Sequence, residues 1–232
     1  MTTHLVRHQK LTKRQIKEDP LVTAAFRGKE FWDEHGRTIL IVAGALVLVL
    51  VLGGLVLRAR EQSEQRASGD LFRAEISVLQ GDYPTAVQVL KELVDNSPGT
   101  TAARRGMLLL GDSQAAMGNS GEAASWYRRA LDRAGSDAAL RRAARLGLAA
   151  SLEDARRYAE AAPYYADLAK DAPSDNDRGR ALLSEARCLL AAGQTAKGAE
   201  VLRAIIALPD AELPLTNAAK VRLGELQAAS SP

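Results

Sequence analysis

Residues 39–57 form an uncharged run of nineteen, fourteen of them Ile, Leu or Val and five Ala or Gly. A buried core helix of a soluble domain would be shorter and polar on one face. At about 1.5 Å per residue the run makes a helix of roughly 28 Å, close to the roughly 30 Å hydrocarbon core of a bilayer, and helices satisfy their own backbone hydrogen bonds in lipid. With about 0.3–0.6 kcal/mol favourable for each Leu, Ile or Val, insertion gains about 4–8 kcal/mol. The sequence therefore predicts a transmembrane helix over 38–58. Its flanks argue against a cleaved signal. Arg37 precedes the run, the exit Arg58-Ala59-Arg60-Glu61 lacks a small-x-small site, and no Cys follows the run to take a lipid. The segment reads as an uncleaved signal anchor that crosses once.

Charge supplies the expected orientation. Residues 1–37 hold eight Lys or Arg, against four in the twenty residues after the span, which places the N-terminus in the cytoplasm. Within twenty residues of each edge the count is three against four, so the argument rests on the distal tail. The five acids of the tail leave it at +3, the whole formal charge of the protein, while residues 38–232 carry 23 basic and 23 acidic side chains. The basic pI of 9.1 thus belongs to a tail suited to a lipid surface, and no basic domain face points to nucleic acid.

Within residues 1–37, the first ten read as unstructured. His4 and His8 share a spacing that fits one helix face, but no third ligand stands near them. Thr12-Lys13-Arg14-Gln15 has the form of a capping box and predicts a short helix start. Asp19-Pro20 is a second start, an N-cap followed by a residue whose fixed φ suits the first turn. Beyond it Leu21, Val22, Ala25, Phe26, Phe31 and Trp32 fall roughly on one side of a helix, which puts Phe31 and Trp32 at the membrane interface. The helix is a surface anchor or a docking element.

After the span the composition is helical, rich in Ala, Leu, Arg and Glu and poor in aromatic and β-branched residues, with room for one domain. A lone Cys188 rules out an internal disulfide framework. Residues 59–68 read as a charged helical stalk. Then Gly81-Asp82-Tyr83-Pro84-Thr85-Ala86 recurs as Gly118-Asn119-Ser120-Gly121-Glu122-Ala123, Arg156-Arg157-Tyr158-Ala159-Glu160-Ala161 and Gly193-Gln194-Thr195-Ala196-Lys197-Gly198, at steps of 37, 38 and 37 residues. Four residues after the last of each sextet stand Leu90, Tyr127, Tyr165 and Leu202. Seven after stand Leu93, Ala130, Leu168 and Ile205, and twelve before stand Ala74, Gly111, Ala149 and Ala186.

This pattern resembles the tetratricopeptide repeat, a helix pair with small residues where the two helices cross and a Pro closing the second, here Pro98 and Pro173. Small residues let backbones approach, and the large residue at the fourth position fills the adjoining gap. The expected fold is all-α: a single N-terminal transmembrane helix followed by a tetratricopeptide-type solenoid over 69–229. It holds about four repeats, with Leu215, Ala218, Ala219, Arg222, Leu223 and Leu226 on a final capping helix over 213–229.

Chemistry is scarce in this domain. His4, His8 and His35 all precede the span, so the domain has no His for acid–base work or metal binding. Cys188, among Ala186, Leu189 and Leu190, reads as apolar filler. No P-loop, dinucleotide turn, His-Glu-x-x-His or Gly-x-Ser-x-Gly is present, and the Asp-rich stretch 171–177 lacks calcium-loop spacing. No catalytic, cofactor or metal residue is predicted, and an enzyme is not expected.

What remains is surface. The first helices of such repeats line a concave groove, which here receives Leu71, Glu75, Arg105, Leu108, Asp112, Leu146, Arg180, Leu183 and Arg187. Leu71, Leu108, Leu146 and Leu183 occupy one repeat position. They form an apolar stripe for a protein segment, or interior packing if the register is off by one. The groove lacks the Lys and Asn arrangement with which some tetratricopeptide co-chaperones clamp a C-terminal carboxylate.

A basic tail with Lys10-Leu11-Thr12-Lys13-Arg14-Gln15-Ile16-Lys17-Glu18-Asp19, one anchor and an Ala-rich repeat domain together resemble the bacterial ancillary subunit of the SecYEG translocon, the YfgM-like family. The resemblance implies an inner-membrane protein with a periplasmic domain that binds the translocon and soluble chaperones. The alternatives are a scaffold for cell-division or outer-membrane biogenesis complexes, or an accessory subunit of a membrane redox or photosynthetic complex.

Overall fold

The computed structural model describes residues 20–229, with side chains from Trp32 onward. All regular structure among these residues is helical, and the chain divides into a unit ending at Ala59 and a unit starting at Arg60. The helix start expected at Thr12 lies outside the described residues.

Helix α1 (Pro20–Leu79) begins at the proline, where the missing N–H costs nothing. In the first unit its apolar run is bare: Leu40, Leu46, Leu50 and Leu57 are each more than half exposed. This is the one helix among the described residues long and apolar enough to cross a membrane. Trp32 folds along Gly36, 3.3 Å from where a Cβ would stand, and stays 53% exposed. Phe31 lies in α1, with its side chain outside the described residues.

In the second unit the end of α1 is followed by α2 (Tyr83–Asn96), α3 (Thr101–Ala116), α4 (Ser120–Asp132), α5 (Ala138–Asp154), α6 (Tyr158–Lys170), α7 (Asp175–Ala191), α8 (Thr195–Ile206) and α9 (Leu213–Ala229). From α2 to α9 each helix packs on the next. In addition α3 packs on α5 and α7 on α9, so the first helices of successive repeats form one layer. The turn inside each repeat is the same. Residues Gly81, Gly118, Arg156 and Gly193 take positive φ, and the next N–H reaches back five residues, as Asp82 to Ser77 and Asn119 to Gln114, each at 2.9 Å. This is the Schellman closure of a helix end.

Every crossing position named by the repeat is buried: Ala74, Gly111, Ala149 and Ala186 on the first helices, and Ala86, Ala123, Ala161 and Gly198 on the second. Leu90, Tyr127, Tyr165 and Leu202 are buried beside them. Packing also reaches back into 59–68, the stretch read as stalk. Ala67 is fully buried in the core cluster it shares with Leu71 and Leu90, and Glu64 accepts from the N–H groups of Thr101 at 2.8 Å and Ala102 at 3.0 Å. A carboxylate there complements the positive end of α3. At the same helix start the Thr100 hydroxyl accepts from Ala103 N–H at 3.0 Å.

Helix α9 occupies the place the sequence assigns to a cap. Ala219 is buried, and Leu215, Leu223 and Leu226 pack with Leu202 and Ile205 of α8, leaving Ala218 and Arg222 exposed.

Candidate functional site

The layer of first helices is concave in three places. The first concavity, about 350 Å³, is lined by Leu71 and Glu75 of α1, by Arg105, Leu108 and Asp112 of α3, and by Leu140 of α5. Five of the sequence-predicted groove residues therefore meet here. Leu146 and Arg180 line a second concavity of about 260 Å³ with Tyr165 of α6. Leu183 and Arg187 line a third, about 450 Å³, against Val221, Arg222 and Glu225 of α9.

The four equivalent leucines are unequal. Leu71 is only 8% exposed and belongs to the core with Leu90, Leu108 and Leu183 are half-buried, and Leu146 is 51% exposed. The repeat position is neither wholly core nor wholly surface, because its cover comes from side chains of the next unit, which vary. Asp137 and Leu140 at the first concavity were not anticipated, although Asp137 followed by a helical stretch is an N-cap signal. Asp137 accepts from Leu140 N–H at 2.9 Å. The contribution of α9 was missed because its sequence reads as a cap alone.

Two polar nodes stiffen this face. The Tyr127 hydroxyl donates to Asp112 at 2.6 Å, and burial raises the Asp112 carboxyl above its usual range despite that bond. The ring of Tyr127 fits only because Gly111 and Gly147 flank it. A Cβ at either glycine would fall within 2.6 Å of the ring. Further along, Arg187 makes a two-pronged contact with Glu153, with Nη2 at 2.9 Å, and Tyr165 donates to the same carboxylate at 3.0 Å. The Arg187 guanidinium holds the Glu153 carboxyl below its usual range. Beside it the Cys188 thiol is fully buried and pushed up to about 12 by that burial, so it stays protonated and unreactive at neutral pH. Among the described residues no group of three His, Cys, Asp or Glu is placed to hold a metal ion.

Residues 29–166 match the family model of the tetratricopeptide repeat-like domain. The chain belongs to that family. Residues 146–214 match a second model, described as tetratricopeptide repeat, so the two together run through all four helix pairs of the tetratricopeptide domain. Similar solved structures include the MamA RS-1 ArsTM double mutant, at 19% identity over 71% of this chain and 88% of that one, TM-score 0.54. Another is MamA 41-end from Desulfovibrio magneticus RS-1, at 17% identity over 72% of this chain and 97% of that one, TM-score 0.52. At such identities the likeness is one of fold. No curated protein sequence matches.

Tetratricopeptide arrays typically present concave surfaces to other proteins rather than catalyse reactions. The repeat domain is in that sense a protein-interaction adaptor.

Proposed function

We propose that the chain is a single-pass inner-membrane adaptor. Its N-terminus lies in the cytoplasm and its tetratricopeptide domain in the periplasm, where the domain links the protein-export translocon to chaperones or clients. The observation that carries the reading is the first concavity, where residues from three successive repeats converge on one apolar floor with a charged rim. Such a surface suits a protein segment. The bare apolar run of α1 supports the anchor, and the basic excess of residues 1–37 supports the orientation. The YfgM-like layout of tail, anchor and repeats supports the translocon.

Affinity purification of the full chain from mild detergent tests this reading, with translocon subunits and periplasmic chaperones expected to dominate. Enrichment of division or outer-membrane assembly factors, or of redox subunits, would replace the translocon by those assemblies. A reporter active only outside the cytoplasm, fused after Ala228, should be on. Activity from a fusion before Arg37 alone would reverse the topology.

A further inference from the structure

The charge around the first concavity is one-sided. Its floor is Leu71, Leu108, Leu109 and Leu140, and its rim holds three carboxylates, Glu75, Asp112 and Asp137, against one guanidinium, Arg105. None of the three carboxylates forms an ion pair among the described residues. Asp112 is held by the Tyr127 hydroxyl and Asp137 by the Leu140 N–H, so both are aimed without being neutralised. The other two concavities differ. The second carries Arg142 and Arg180 against Asp177, and the third carries Arg187 and Arg222 against Glu225. There Arg222 is bonded to Glu225, and Arg187 to Glu153, so little free negative charge remains.

From this pattern we infer that the first concavity takes a cationic, apolar peptide segment, one in which Lys or Arg stands beside Leu-type side chains. This rests on the reading of the inner face as a partner groove, and it adds what kind of chain enters and where. Apolar side chains of the segment fill the 350 Å³ above Leu71 and Leu108. Its cations meet Glu75 and Asp112 at the rim, and the partial burial of Asp112 shields its pair from salt more than on open surface. An acidic segment meets three like charges and is repelled, which makes the rim a selector as well as an attractor.

The full chain in nanodiscs of zwitterionic lipid, with empty nanodiscs as background, can be titrated with three fluorescent peptides of equal apolar content. They repeat Lys-Leu-Leu, Gln-Leu-Leu or Glu-Leu-Leu. The Lys peptide should bind at least tenfold more tightly than the Gln peptide, with the Glu peptide weakest. The combined Glu75→Gln and Asp112→Asn change should erase the difference between Lys and Gln peptides while leaving Gln-peptide binding in place. Asn at 112 still accepts from Tyr127, and Asp137 is left alone because it caps α5. Equal binding of all three peptides would overturn the charge selection while leaving the groove standing. Binding of none would remove the groove and the selection with it. A Lys-peptide preference that survives the double variant would move the site elsewhere and also overturn the inference.

Discussion

Gly147 of α5 faces the ring of Tyr127 so closely that a Cβ on it would lie 2.4 Å from Cε1. In an ordinary helix Gly→Ala gains up to about 1 kcal/mol, but an added methyl in filled space costs about 1–3 kcal/mol. Tyr127 is 5% exposed and tied to Asp112, so the ring has little freedom to yield. Gly147→Ala is expected to lose about 1–2 kcal/mol, whereas Gly224→Ala, in a helix with nothing within 4 Å, should gain about 0.5–1 kcal/mol. Urea unfolding followed by Trp126 fluorescence in a Trp32→Phe background reads both. Equal effects would mean the contact with Tyr127 does not constrain the fold.

Arg156 is the one residue other than glycine that takes positive φ among the described residues, at 58°, and it does so where the other three repeats use Gly81, Gly118 and Gly193. A side chain in that conformation costs about 1–2 kcal/mol relative to glycine, partly offset by the extra freedom glycine has when unfolded. Arg156→Gly should raise stability by about 0.5–1 kcal/mol in the same assay. A loss would show that the exposed Arg156 side chain makes a contribution larger than the strain.

Glu153 ties acid stability to one node. Its folded-state pKa is depressed below the ordinary 4.5, chiefly by the Arg187 hydrogen bonds. A depressed carboxylate contributes stability that is complete above the unfolded pKa and is lost as pH falls through the folded value. Glu153→Gln should therefore cost about 1–2 kcal/mol at neutral pH, and the gap to the parent should narrow below about pH 4.5. Asp112 works in the opposite sense. Its raised pKa means that ionisation opposes folding, so Asp112→Asn should not share this acid dependence. Urea midpoints across the acid range compare the two. A gap at Glu153 that is constant with pH would remove the ion pair from the account.

Leu146 and Leu108 share a repeat position and should part company on substitution. Leu146 is 51% exposed, so Leu146→Asp should keep the fold and change stability by less than about 0.5 kcal/mol. Leu108 packs against two core clusters, so Leu108→Asp is expected to lose about 2–4 kcal/mol from burying a charge and from lost packing. Circular dichroism with urea unfolding compares the two variants, and equal losses would mean that the difference in exposure does not decide their cost.

The crossing positions were legible because they are a local demand. Two helices joined by a short turn can approach only over small residues, and Ala74 with Ala86, or Gly111 with Ala123, state that demand within one repeat. The partner of Gly147 was not legible, because Tyr127 reaches it from the preceding repeat, and the 37–38-residue period says nothing about which neighbour a ring fills. Glu64 escaped for a related reason. In a stretch without apolar spacing a carboxylate reads as solvated, and only the approach of α3 gives it two backbone donors. The concave residues were placed by register, but their exposure depended on side chains one unit away, as the contrast of Leu71 with Leu146 shows.

The Glu153 carboxylate, which serves Tyr165 and Arg187 from two different helices, limits how freely these units could be exchanged. The backbone of the array is periodic enough for repeats to be duplicated, deleted or reordered. A recombination between α5 and α7 would nonetheless leave the Glu153 carboxylate without its cation and the Arg187 guanidinium without its counterpart. Drift in the number of units is thus easier at the ends of this solenoid than at its third joint.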